Sequence, residues 1–130
     1  MKKFNEILWW DYAVECLASD EEFTVRYGVM RLMESFLDET HLKKVFRALR
    51  KVKHEGYYVK MGMAWLYATA AIQDFEGTIN ELERKGTDRW TRGKSLQKMI
   101  ESYRISDEQK EIIREKRNNG KKSQMVKNSS

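Results

Sequence analysis

Tyr57, Tyr58, Lys60, Trp65 and Tyr67 fall within eleven residues, a dense concentration of aromatic and cationic groups. On a helix, Tyr58, Met61 and Trp65 share one stripe, while Lys60 and Tyr67 lie on a neighbouring one. Core packing accounts for many aromatics at this spacing. The chemical alternative is a surface that touches nucleotides. Aromatic faces attract cations, including a positively charged alkylated base, by roughly 0.5–2 kcal/mol. Other chemistries find little support. His41 and His54 share no ligand spacing with Cys16, so no metal site is expected. There is no glycine-rich phosphate loop and no GxSxG elbow, which sets aside kinases and serine hydrolases. No cofactor is expected, and Cys16 reads as a small buried residue.

Apolar spacing at three and four residues from Phe4 to Ile113 predicts the helices that must position these groups. They run over about 5–17, 21–37, 40–52, 57–72, 75–84, 88–103 and 107–117. Ser19-Asp20-Glu21-Glu22 and Ser106-Asp107-Glu108-Gln109 have the form of capping boxes, and Lys85-Gly86 has the form of a helix end. Proline is absent and 35% of residues are charged, which suits exposed helices and argues against a sandwich or barrel. The expectation is one all-α domain over 1–117, followed by a disordered basic tail over 118–130.

A self-comparison sharpens this. Phe23–Met33 matches Tyr57–Tyr67 at an offset of 34, pairing Val25 with Val59, Arg26 with Lys60, Gly28 with Gly62 and Leu32 with Leu66. A weaker copy begins at Trp90, another 33 residues on, with Ser95, Leu96 and Met99 in equivalent places. A helical unit recurring at this period predicts a solenoid in which each hairpin buries its apolar face on its neighbours. The tetratricopeptide pattern of Trp, Leu, Gly and Tyr is missing, so HEAT-like (armadillo-like) pairs fit better. Mid-helix glycine costs about 1 kcal/mol relative to alanine, so Gly28 and Gly62 predict close helix–helix approach.

Charge is unevenly spread within the net +5. Residues 1–40 carry nine acids against four bases, residues 41–86 nine bases against five acids, and residues 87–130 twelve bases against six acids. Such asymmetry points to a polyanionic partner, with ordinary solubility charge as the alternative. No window approaches the ~18 apolar residues of a membrane span, and Asn5, Glu6, Asp11 and Glu15 interrupt any signal-peptide core. A soluble, cytoplasmic protein without a membrane partner is the expectation.

Four separated strings resemble a known family: Thr24-Val-Arg-Tyr-Gly, Phe36-Leu-Asp-Glu39, Tyr57-Tyr-Val-Lys-Met-Gly-Met-Ala-Trp65 and Gln97-Lys-Met-Ile-Glu-Ser-Tyr-Arg104. Over about Leu8 to Arg117 the chain is similar to the DNA alkylation-repair proteins, the HEAT-like alkylpurine DNA glycosylases of the AlkD type. The resemblance implies an α-α superhelix around alkylated duplex DNA that excises N3- or N7-alkylated purines. The lesion's own charge makes it a good leaving group. A carboxylate and tryptophan faces stabilise the cationic sugar, and an arginine steadies the phosphate. Carried over, Arg26 matches the family arginine and Trp65 its later tryptophan, with Lys60 and Lys94 as backbone contacts by position. Two alternatives stay open: an Arg26–Glu22 salt bridge, and a place for Trp65 in the core. The family carries its catalytic aspartate more than a repeat upstream of the arginine. Here Trp9-Trp10-Asp11 matches that motif superficially, at less than half the required spacing. The resemblance therefore implies a C-terminal half that retains mainly DNA-binding surface, with Asp11 a weak candidate for the carboxylate. An apolar end near Trp9 and Trp10 would be covered by self-association or by a separate N-terminal half. A helical protein-interaction scaffold is the alternative from another class.

Overall fold

Val25, Val29 and Leu32 on one helix, and Val59 and Leu66 on another, recur at helical spacing and are all fully buried. They join two layers of helices around a single core. The computed structural model describes the backbone of residues 2–129 and the side chains of residues 5–118. Among the described residues the chain is all-α. Its seven helices are α1 (Lys2–Leu17), α2 (Glu22–Ser35), α3 (Leu42–Arg50), α4 (Tyr57–Gln73), α5 (Phe75–Leu82), α6 (Arg89–Glu101) and α7 (Asp107–Ser129). None is long and apolar enough to cross a membrane. The sequence placed the end of α7 near Arg117. Where the sequence predicts a disordered tail over 118–130, the α7 backbone continues as helix to Ser129, and the side chains beyond Asn118 lie outside the described residues.

One layer is the row α1–α2–α4–α6, in which each helix packs on the next. Tyr12 meets Tyr27 and Trp9 meets Arg31, so α1 and α2 run antiparallel. Phe23 meets Tyr58 and Tyr57 meets Trp90, so α2, α4 and α6 run parallel with their N-terminal turns side by side. Behind them lie α3, α5 and α7, linked by the Arg50–Glu81 and Lys116–Glu83 ion pairs. The sequence-matched helices α2, α4 and α6 bury matching positions: Gly28, Gly62 and Ser95, then Leu32, Leu66 and Met99.

The Arg26/Lys60 match has a structural cause. Arg26 Nη1 donates to the carbonyl of Tyr58 at 2.9 Å, and Lys60 Nζ reaches Asp88 Oδ1 at 3.2 Å. Each cation thus ties its helix to the first turn of the next parallel one. Glu22 takes part too, its Oε2 accepting from Tyr58 N at 2.9 Å. This corrects two readings. Arg26 is not paired with Glu22, and Glu22 does not close a capping box with Ser19. Glu21 caps α2 instead, accepting from Phe23 N and Thr24 N, because Glu22 is drawn to the unpaired donors of α4. The second capping box forms as expected: Gln109 N donates to Ser106 Oγ at 3.1 Å and Ser106 N to Gln109 Oε1 at 3.2 Å.

Trp10 is also accounted for. It packs edge-on against Phe36 at 5.1 Å and is half-buried, while Ile7, Leu8, Trp9 and Tyr12 of α1 remain exposed.

Three carboxylates, two at helix N-caps and Asp38 in the turn before α3, are held below their ordinary range. The Thr24 hydroxyl and the Thr24 and Phe23 N–H groups lower Glu21. Burial pushes Asp38 up, but bonds from the ring and backbone N–H of His41 outweigh it. Burial likewise pushes Asp88 up, and the Thr91 N–H and hydroxyl with Lys60 outweigh that. A depressed folded-state pKa stabilises above the unfolded value and is lost as pH falls through the folded one. The melting temperature should therefore hold from about pH 7 to 5 and fall below about pH 4, near the unperturbed carboxylate values. Asp88→Ala should cost about 1 kcal/mol at neutral pH as a lost N-cap. Asp88→Asn keeps the cap and should blunt the acid-side loss. Thermal melts across pH by circular dichroism check both, and an Asn variant as acid-sensitive as the parent would remove Asp88 from the account.

Candidate nucleic-acid interface

On α4, Val59, Gly62, Leu66 and Ala70 turn into the core, which leaves the stripe of Tyr58, Met61 and Trp65 facing out. Trp65 is 50% exposed, mid-helix, so it does not belong to the core. Tyr67, on the other stripe, is buried and stacks obliquely on Phe46 at 5.8 Å. The aromatic cluster seen in the sequence is thus divided between surface and core.

Trp65, Thr69 and Ile72 form one wall of a groove of about 290 Å³, and Lys98 and Glu101 of α6, with Ser102 just past its end, form the other. Gln97 Nε2 donates to Glu101 Oε1 at 3.1 Å, which holds the carboxylate at the groove's edge. Lys94 is half-buried one turn before Lys98, on the same side of α6. Across α4, Arg31 of α2 lies over the ring of Trp9, 4.2 Å from its centroid, with Nη1 3.7 Å from the exposed carboxylate of Glu34. At the N-terminal edge of this face, the exposed rings of Phe23, Tyr58, Tyr57 and Trp90 form a continuous ladder, with neighbouring centroids 5.4, 5.4 and 5.7 Å apart.

The remaining expected site residues do not join Trp65. Arg26 and Lys60 point to helix junctions, and Lys60 stands about 140° around α4 from Trp65 at 3.6 residues per turn. Asp11 is exposed on α1, on the side away from the Ala13 and Leu17 that pack inward. With α2 between α1 and α4, Asp11 and Trp65 are separated by two helix spacings of ~8–10 Å each. The carboxylate that does share Trp65's groove is Glu101.

Sequence reasoning overlooked Arg31, Lys98 and Glu101. The signal for two of them was the repeat itself, since Arg31 lies 34 residues before Trp65 and Lys98 lies 33 after. Equivalent positions on neighbouring parallel helices form a row across the layer, here Arg–Trp–Lys. Among the described residues no three His, Cys, Asp or Glu side chains gather as metal ligands would. Comparison with protein-family models, curated proteins and solved structures returned no match.

Cations flanking an exposed indole can hold a polyanion's phosphates while the ring lies against a sugar or base. A carboxylate in the same groove adds a partner for positive charge.

Proposed function

We propose that the exposed face of α1, α2, α4 and α6 binds duplex DNA by its backbone, as a DNA alkylation-repair protein directed to N3- or N7-alkylated purines. The observation that carries this is the row of Arg31, Trp65 and Lys98, with the indole kept at the surface in mid-helix. Leaving half of a large apolar side chain exposed forgoes on the order of 1 kcal/mol of burial. A contact with a ligand is the use that offsets such a loss. Lys94, Lys98 and Arg31 meet phosphates in this reading, and Trp65 faces the sugar or the cationic base. Asp11 stands two helix spacings from Trp65, so this reading assigns the face DNA binding and leaves base excision to the test below.

The test is duplex binding, by fluorescence anisotropy, across a salt series. Counterion release predicts log–log slopes of about −0.9 for each phosphate contacted, and three cations predict a slope near −3. Release of free base from a duplex carrying N7-methylguanine should stay at the spontaneous rate. Excision above that rate would restore a catalytic role to this chain, with Glu101 as the first residue to substitute. Binding that ignores salt, or no binding at all, would favour a helical scaffold for a protein partner, the reading that the exposed aromatic ladder supports.

A further inference from the structure

Behind α4, on the side away from Trp65, lies a recess of about 560 Å³. It is closed by the end of α3, the last turn of α5 and the loop that leads into α6. Its floor includes Leu49, Val52 and Met63, and its walls carry five cations against three carboxylates. Glu81 is 6% exposed and is held by Arg50, whose Nε lies 2.8 Å from Oε2, and by Arg84 at 3.5 Å. Lys60 is engaged by Asp88. Lys53 and Lys85 have no acidic partner within 4.0 Å among the described residues, which leaves positive charge at the recess.

A second observation is independent of that charge. Tyr67 lines the recess and is only 5% exposed, yet its hydroxyl makes no hydrogen bond with the described residues. Burial, aided by Glu81, keeps the phenol protonated, so its hydroxyl can donate to a group bound in the recess. Beside it the chain turns through Arg84-Lys85-Gly86-Thr87, where Gly86 has a φ of 97° and open space around its Cα. A concave wall of excess positive charge concentrates anions, and an apolar floor suits the uncharged body of a small molecule.

We propose that this recess binds a phosphomonoester of about mononucleotide size, its phosphate held by Lys53, Lys85 and the Tyr67 hydroxyl and its body resting on Leu49, Val52 and Met63. The site is separate from the face assigned to DNA and does not depend on that assignment.

The test is an amide-shift titration of the full chain by NMR with a nucleoside 5′-monophosphate, the parent nucleoside, and sodium sulfate at matched ionic strength. The monophosphate should give saturable shifts at Lys85, Gly86, Thr87 and Thr91, and neither control should. The Lys53→Gln/Lys85→Gln double variant should weaken binding at least tenfold, and Tyr67→Phe several-fold. Both lysines are exposed, so the fold should survive, and circular dichroism checks this. Equal shifts with sulfate would reduce the recess to nonspecific anion attraction and overturn the proposal. So would binding that ignores both lysines, or shifts confined to the Trp65 face.

Discussion

Replacing Gly28 with alanine is expected to destabilise the protein by about 2–3 kcal/mol, whereas the same change at Gly62 should be neutral or stabilising. A Cβ at Gly28 would sit 2.7 Å from the carbonyl oxygen of Ala13, 3.0 Å from Cys16 Cβ and 3.1 Å from Leu17 Cδ2. The closest of these is helix backbone, which can retreat only if α1 moves off α2. A Cβ at Gly62 would meet Met30 Cε at 3.3 Å, the far end of a flexible side chain, with its next neighbours at 3.6 and 3.7 Å. Met30 can shift by a few tenths of an ångström. What remains at Gly62 is the intrinsic gain of alanine over glycine in a helix, up to ~1 kcal/mol. Denaturant melts of the two variants measure the contrast. Equal destabilisation at both sites would mean that α2 and α4 approach as closely as α1 and α2 do.

That pair shows which parts of the fold the sequence carried. Both glycines stand out as costly mid-helix residues at the same repeat position, so a shared explanation was natural. The repeat preserves where a residue faces but not how close its neighbour comes, and only distances separate the two cases. The helices themselves were legible because periodic apolar residues and local caps encode them, as Ser106 and Gln109 illustrate. Contacts between residues some thirty apart were not. Glu22 is the right residue type for its own helix's capping box, but it is used by Tyr58 on another helix. Arg50 and Glu81 have no local signature that pairs them. For the candidate site, Trp65 was singled out through its string of neighbours, and the structure places it at the surface. Arg26 and Lys60 were assigned to phosphate by position, while the structure uses both to bind one helix to the next. The Arg31–Trp65–Lys98 row was within reach, because it needs only the repeat offset and the helix periodicity.

Trp65→Ala is the variant expected to affect function most, by about tenfold or more in duplex affinity, with little change in stability. A half-exposed indole leaves no closed cavity when truncated, so the loss of folding free energy should stay below ~1 kcal/mol, unlike the ~3–5 kcal/mol of a buried tryptophan. A contact with a sugar or cationic base carries up to ~2 kcal/mol, and each 1.4 kcal/mol is a factor of ten. Lys98→Gln should act differently, weakening all duplexes alike and reducing the magnitude of the salt slope by about one. Trp65 carries no charge, so its removal should leave that slope unchanged. Arg26→Ala is the matched control. It breaks the bond to the Tyr58 carbonyl and loosens the α2–α4 junction, so it should lower the melting temperature and leave the slope intact. A slope that flattens on removal of Arg26 but not of Lys98 would move the phosphate contacts to the helix junctions and away from the Trp65 groove. Full affinity in Trp65→Ala would leave the exposed indole to a protein partner, and the aromatic ladder from Phe23 to Trp90 would then be the surface to test.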